Sequence, residues 1–269
     1  MSDVMTKDLA PAVADAAPEL IEDLVMANRI LFQQGVVDGF GHVSARHDKH
    51  PDRFLISRSM APALVNACDI MAFDFDGNPL GGDTRNGYLE RFLHGAIFRA
   101  RPDVNGVVHS HSPAVIPFGL VKEVPLRAVS HMGGFLKTGV PIYEIRDSAG
   151  DASDMLIRNT NLARDLAKAL GNEVAVLMRG HGSTVVGKSI REAVYTAVYL
   201  EINAELQWKA KFLGKAKFLS PGEIARINTR LGQSRPGEGF NRSWKYWCRR
   251  AGIASSKISL LKEHVVHRE

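Results

Sequence analysis

The chain has 269 residues and a hydrophobic fraction of 45%, enough to bury a real core in one large domain or two small ones. Its net charge of +5 and pI near 9.2 are modest, and the Lys and Arg residues are spread along the chain, which favours a small anionic substrate over nucleic acid. Two cysteines, Cys68 and Cys248, imply no disulfide framework, and no apolar run approaches the roughly 20 residues of a membrane helix, so a cytoplasmic protein is expected.

Residues 1–17 read as a flexible Ala-rich arm with no secretory pattern. Pro18 opens a helix whose apolar stripe runs through Leu20, Ile21, Leu24, Val25, Leu31 and Phe32, with Gly35 placed to close it. Strand-like pieces follow at His42–Arg46, Phe54–Ser57 and Ile70–Phe75, and Asp76-Gly77-Asn78-Pro79 marks a turn. A helix is expected over Tyr88–Ala100, a strand over Asn105–His109, and a helix begun by Ser112-Pro113. A helix over Asn161–Leu170 ends at Gly171 and leads into the strand Val174–Met178. Ser189 and Glu192 form a capping box for the longest helix, to about Leu213. Ser220-Pro221 starts another, Gln233–Gly239 reads as a loop, and Arg242–Arg250 mixes bases with Trp244, Tyr246 and Trp247. The early strands are joined by turns too short for crossovers, so the elements predict an α/β chain with a mixed or antiparallel sheet under helices. No GxGxxG or GxxxxGK[ST] motif supports nucleotide binding.

The chemistry concentrates in Val107-Val108-His109-Ser110-His111. Alternate strand residues share a face, so His109 and His111 can reach one ion. His181, in Arg179-Gly180-His181-Gly182, follows the second apolar run and is the plausible third ligand of an open divalent-metal site. Glu90 lies upstream, as a fourth ligand, a general acid/base or simply a solvated helix charge, and His94 stands four residues later on the same helix face. His42, after a Gly-containing loop, and His131, in Ser130-His131-Met132-Gly133-Gly134, are further pocket candidates; His47 and His50 are assigned no role.

Taken in order, Gly41-His42-Val43-Ser44-Ala45-Arg46, Phe54-Leu55-Ile56-Ser57, Glu90, Arg101 to His111 and Arg179-Gly180-His181-Gly182 resemble the class II aldolase/adducin family over about residues 20–215. The resemblance implies a three-layer α/β/α fold with a mostly antiparallel central sheet. Residues 18–215 would form the catalytic domain, and 216–269 an extension packed on it. It also implies a homotetramer with sites at subunit boundaries, a metal on His109, His111 and His181, and Glu90 as the acid/base touching that metal. Departures from the sugar-phosphate members point to the decarboxylase branch: His42 where those have Asn, Met60 after Ser59, and Tyr88 and Leu89 before the acid. Bulky apolar groups fill a phosphate pocket, whereas Arg58, Ser59 and His42 suit a carboxylate. The expected reaction is decarboxylation of a hydroxylated aromatic or pyridine dicarboxylate, first 3-hydroxy-2-methylpyridine-4,5-dicarboxylate of vitamin B6 degradation. Dihydroxyphthalate, carboxymuconic semialdehyde and a sugar-phosphate aldolase or epimerase are alternatives, as is a non-catalytic adducin-like scaffold. Mn2+ is the expected metal, Zn2+ or Co2+ the alternatives, with no organic cofactor. Glu90, His42 or His131 would deliver the proton.

Overall fold

The computed structural model describes residues 9–233 and 238–252. Helix α1 (Pro18–Gln33) begins at its proline and stops at Gly35. Gly35, at φ +70°, donates to Phe32 O (3.0 Å) while Val36 donates to Leu31 O (2.9 Å). This paired closure needs a left-handed residue, which glycine adopts without penalty. There follow β1 (His42–Arg46), β2 (Arg53–Ser57), β3 (Ile70–Asp74), α2 (Arg91–Ala100), β4 (Gly106–Ser110), α3 (Ile116–Leu120), β5 (Ile142–Tyr143), α4 (Arg146–Ala149), α5 (Thr160–Leu170), β6 (Ala175–Met178), β7 (Gly182–Gly187), α6 (Ile190–Leu213), α7 (Pro221–Gln233) and α8 (Glu238–Arg250).

The seven strands form one sheet in the order β3-β2-β1-β4-β7-β6-β5. Every neighbouring pair is antiparallel except β5 with β6, so the expected mostly antiparallel α/β sheet is present. Strand alternation divides the core between two faces. Leu55, Val108, Val185 and Leu177 point to the side of α1, α6 and α8, whereas Phe54, Ile56, Val107, Val186 and Val176 point to the side of α2 and α5. Both faces are covered, which explains why these strands read as unbroken apolar runs.

Several local expectations are corrected. Residues 9–17 are not a loose arm: Val13 is fully buried, Ala16 nearly so, and Ala17 N donates to Asp48. Asp15 meets His50 at 2.6 Å and His47 at 3.2 Å, giving work to two histidines that had none. Residues 1–8 lie outside the described residues. Regular helix begins at Arg91 rather than Tyr88, with Glu90 as its N-cap residue, whose carboxylate accepts from Ile157 N, 67 residues on. After Ser112-Pro113 the chain only turns, and helix α3 starts at Ile116. Strands β5 and β7 were not expected; β7 carries glycine at both ends, which weakens any strand pattern. In the capping motif, Ser189 accepts from Glu192 N, but Glu192 reaches Lys188 N rather than Ser189 N.

Of the C-terminal aromatic residues Trp244, Tyr246 and Trp247, the two tryptophans are structural and Tyr246 is exposed. Trp244 and Trp247 are buried by α8, which packs on α6 and α1. Arg191 lies over the Trp244 ring at 5.3 Å and pairs with Asp23 of α1. Of the expected loop at Gln233–Gly239, Gln233 ends α7 and Glu238 and Gly239 begin α8, while residues 234–237 lie outside the described residues.

Candidate active site

The site forms where β4 ends between β1 and β7. His42 of β1 is registered directly against His109 of β4, and His111 follows just past the strand. The β6–β7 hairpin supplies His181 from its turn, where Gly180 adopts φ +65°. Glu90 enters from the N-terminus of α2, where it is the N-cap residue.

Glu90, His109, His111 and His181 each offer a ligand atom within 4.8 Å of the others. His111 Nε2 and His181 Nε2 stand 2.9 Å apart, and Glu90 Oε2 is 3.3 Å from His109 Nε2 and 3.4 Å from His181 Nε2. The tautomers follow from the outer partners. His109 Nδ1 faces Ser183 O at 3.1 Å and His181 Nδ1 faces Met155 O at 2.9 Å. A carbonyl only accepts, so both Nδ1 atoms carry the hydrogen and both Nε2 lone pairs point inward. His109 Nε2 is buried and makes no hydrogen bond, although a carboxylate oxygen lies beside it. Converging imidazole lone pairs, an unsatisfied buried nitrogen and a carboxylate are what a divalent cation needs, and these residues fit one.

The electrostatics keep Glu90 ionised and His111 neutral but favour a proton on His181. Burial opposes charge on Glu90, but His109 and His181 outweigh it and hold the carboxyl well below its ordinary range. Burial lowers His181, but the Glu90 carboxylate 3.4 Å away favours its protonated form and leaves it raised, so a proton competes with an ion for that Nε2 lone pair. Burial, then His109 and His181, push His111 down to about 4, so its lone pair is available at neutral pH.

A cavity of about 380 Å³ opens over the cluster, a volume that suits a small-molecule site. His42 and Ser59 line it, as do Met60, Tyr88 and Leu89, the bulky residues expected to displace a phosphate. The Tyr88 hydroxyl donates to Met60 O (2.7 Å) and lies 3.0 Å from Ser57 Oγ, which fixes the ring in the wall. Two expectations are not met by this cavity. Arg58 is absent from its lining; its Nε donates to Asp69 Oδ1 at 2.7 Å, and that ion pair turns it away. His131 is exposed and borders a separate cavity of about 860 Å³ beside α7, with Glu223 and Arg226. The residues that sequence reading missed are Ser183 and Met155. Their roles are played by backbone carbonyls, which leave no mark in side-chain identity.

The Class II Aldolase and Adducin N-terminal domain matches residues 22–208, and the chain belongs to that family. Among its relatives is "Decarboxylase tropJ" of Talaromyces stipitatus, 34% identical over 247 residues, 85% of this chain and 92% of that one. A "3,4-dihydroxyphthalate decarboxylase" of Arthrobacter keyseri is 33% identical over 77% of this chain and 85% of its own length. The fold matches an aldolase II superfamily protein from Pseudomonas syringae with a TM-score of 0.73 at 22% identity, covering 89% of this chain and 96% of the other. It also matches an L-fuculose 1-phosphate aldolase from Glaciozyma antarctica, with a TM-score of 0.71 at 23% identity over 93% and 96% of the two chains.

Proposed function

We propose that this protein is a divalent-metal-dependent decarboxylase of a hydroxylated aromatic dicarboxylate, with a dihydroxyphthalate-like ring as substrate. The observation that carries the reading is the wall of Met60, Tyr88 and Leu89 beside the Glu90–His109–His111–His181 cluster: an apolar wall for a flat ring next to residues that fit a divalent cation. Two relatives, at 34% and 33% identity, are decarboxylases by name, and one takes a dihydroxyphthalate. The pyridine ring expected from the sequence finds no such support, so the benzene dicarboxylate is placed first.

His109, His111, His181 and Glu90 would hold the ion, with Mn2+ our first choice. It would supply a Lewis acid at the edge where a ring hydroxyl adjoins the departing carboxylate. Glu90, held ionised, takes the hydroxyl proton and returns a proton to the ring carbon. The C–C bond then breaks, its electron pair restores the aromatic ring, and CO2 leaves. His42 and Ser59 bind the anionic edge of the substrate, and Arg58 would approach a second carboxylate only from the rim. We assign His131 no part in chemistry within this cavity. Residues 216–252 act as an extension of the catalytic domain, and we take the assembly to be a homotetramer. Among the described residues no helix is long and apolar enough to cross a membrane.

The test is CO2 release from 3,4-dihydroxyphthalate by the manganese-supplemented protein, with and without chelator. Release that the chelator abolishes is expected. Cleavage of a sugar phosphate with no CO2 from the phthalate would overturn the reading.

A further inference from the structure

The active-site chemistry leaves a buried histidine beside the cluster unused. His94, on α2, is fully buried, and both its ring nitrogens are engaged. Its Nε2 is 2.7 Å from His42 Nδ1, and its Nδ1 is 2.6 Å from Ser44 Oγ. Ser44 is fully buried and His42 is 4% exposed. The chain Ser44–His94–His42 therefore runs from the sheet interior to the cavity wall.

A chain of this kind has two possible polarities, and the hydroxyl decides between them. Among the described residues, His94 Nδ1 is the one hydrogen-bond partner of Ser44 Oγ. If Ser44 accepted from His94, its own O–H would be buried without an acceptor, and an unmade buried bond is costly. Ser44 therefore donates to His94 Nδ1. His94 is neutral, since burial and then His109 push it down to about 3, so its hydrogen sits on Nε2. That hydrogen goes to His42 Nδ1. The remaining hydrogen of the His42 ring is on Nε2, which makes no bond among the described residues and belongs to a side chain lining the cavity.

We infer that Ser44 and His94 are positioning residues that fix His42 as its Nε2–H tautomer, a directed hydrogen-bond donor for an anionic oxygen of the substrate. The inference deepens the decarboxylase reading and rests on it for the identity of that oxygen. The tautomer itself follows from the geometry alone. It also accounts for a histidine as the first residue of β1: an amide there would present both a donor and an acceptor, whereas a histidine wired from behind presents only a donor.

Histidine 15N spectra of the full-length protein read the tautomer directly, without substrate. The wild type should show His42 as a single Nε2–H form. His94→Gln places an amide nitrogen near the lost Nε2 and should keep that form. His94→Asn reaches only toward Ser44 and should release His42 into a mixture of tautomers. Both variants remove one of the two bonds and should lose comparable thermal stability. Only His94→Asn should lose turnover, by roughly 10²-fold in kcat. An Nδ1–H tautomer in the wild type, or an unchanged tautomer in His94→Asn, overturns the inference. A wild type that shows the Nε2–H form but releases no CO2 from any hydroxyphthalate sinks the decarboxylase reading and leaves the tautomer assignment standing.

Discussion

At the scale of single residues, Glu90 bears the heaviest assignment. It accepts from Ile157 N through Oε1 and turns Oε2 to His109 and His181. Glu90→Gln keeps the shape and the bond to Ile157 but removes the proton acceptor. Turnover should fall by about 10²- to 10⁴-fold with the fold intact, as measured by kcat beside a thermal melt. Wild-type turnover in that variant would move proton transfer to another group. The ligand residues were legible in the chain because period-two spacing in a strand is a geometric fact: His109 and His111 do share a face, with ring centroids 5.1 Å apart. His131 misled for a related reason. A histidine among glycines signals a loop but not which cavity that loop borders. Arg58 misled because its neighbour across the turn, Asp69, is an acid that sequence distance conceals.

Elements position these groups through close backbone approach. Gly182, the first residue of β7, packs so tightly on β4 that an added Cβ would overlap Ser110 O and lie 3.1 Å from His111 Cα. It separates the two segments that carry His111 and His181. Gly182→Ala should cost about 1–3 kcal/mol in stability and weaken zinc binding as well, read by melting and by metal titration. A variant that loses stability but binds zinc as tightly as wild type would show that the ligands are held elsewhere. The same glycine explains why β7 escaped notice. Gly182 and Gly187 bracket a short run whose Ser183 and Thr184 dilute the apolar signal, so the segment reads as a turn. Long helices were legible because their stripes and caps are local. Ser189 caps as its residue type suggests, and Asn159, not among the expected caps, does so one residue before Thr160; Glu90 at the start of α2 instead pairs with a distant amide that no local rule contains.

The whole molecule must keep several imidazoles neutral inside its core, and this gives it a pH signature. The folded His94 lies at about 3 against an ordinary 6.5, and His42 is shifted in the same direction by burial and by His94. Between those pH values the unfolded chain takes up protons that the folded one refuses. Stability is therefore fully present above about pH 6.5 and drains away as pH falls toward 3. His94 alone accounts for roughly a few kcal/mol of that loss. Melting temperatures should drop between pH 7 and 5, and less steeply in His94→Gln; equal slopes would mean that other groups drive the acid transition. The β4–β7 pairing has a consequence in time. It joins His111 to His181 across 70 residues of chain, and such a closure comes after local structure has formed. The expected order of events is that the ligand cluster forms late in folding, after the local elements that carry it. Zinc added to refolding chains should leave the folding rate unchanged and slow only unfolding, as separate stopped-flow limbs would report. The ion would then lengthen the life of the native protein without helping to make it.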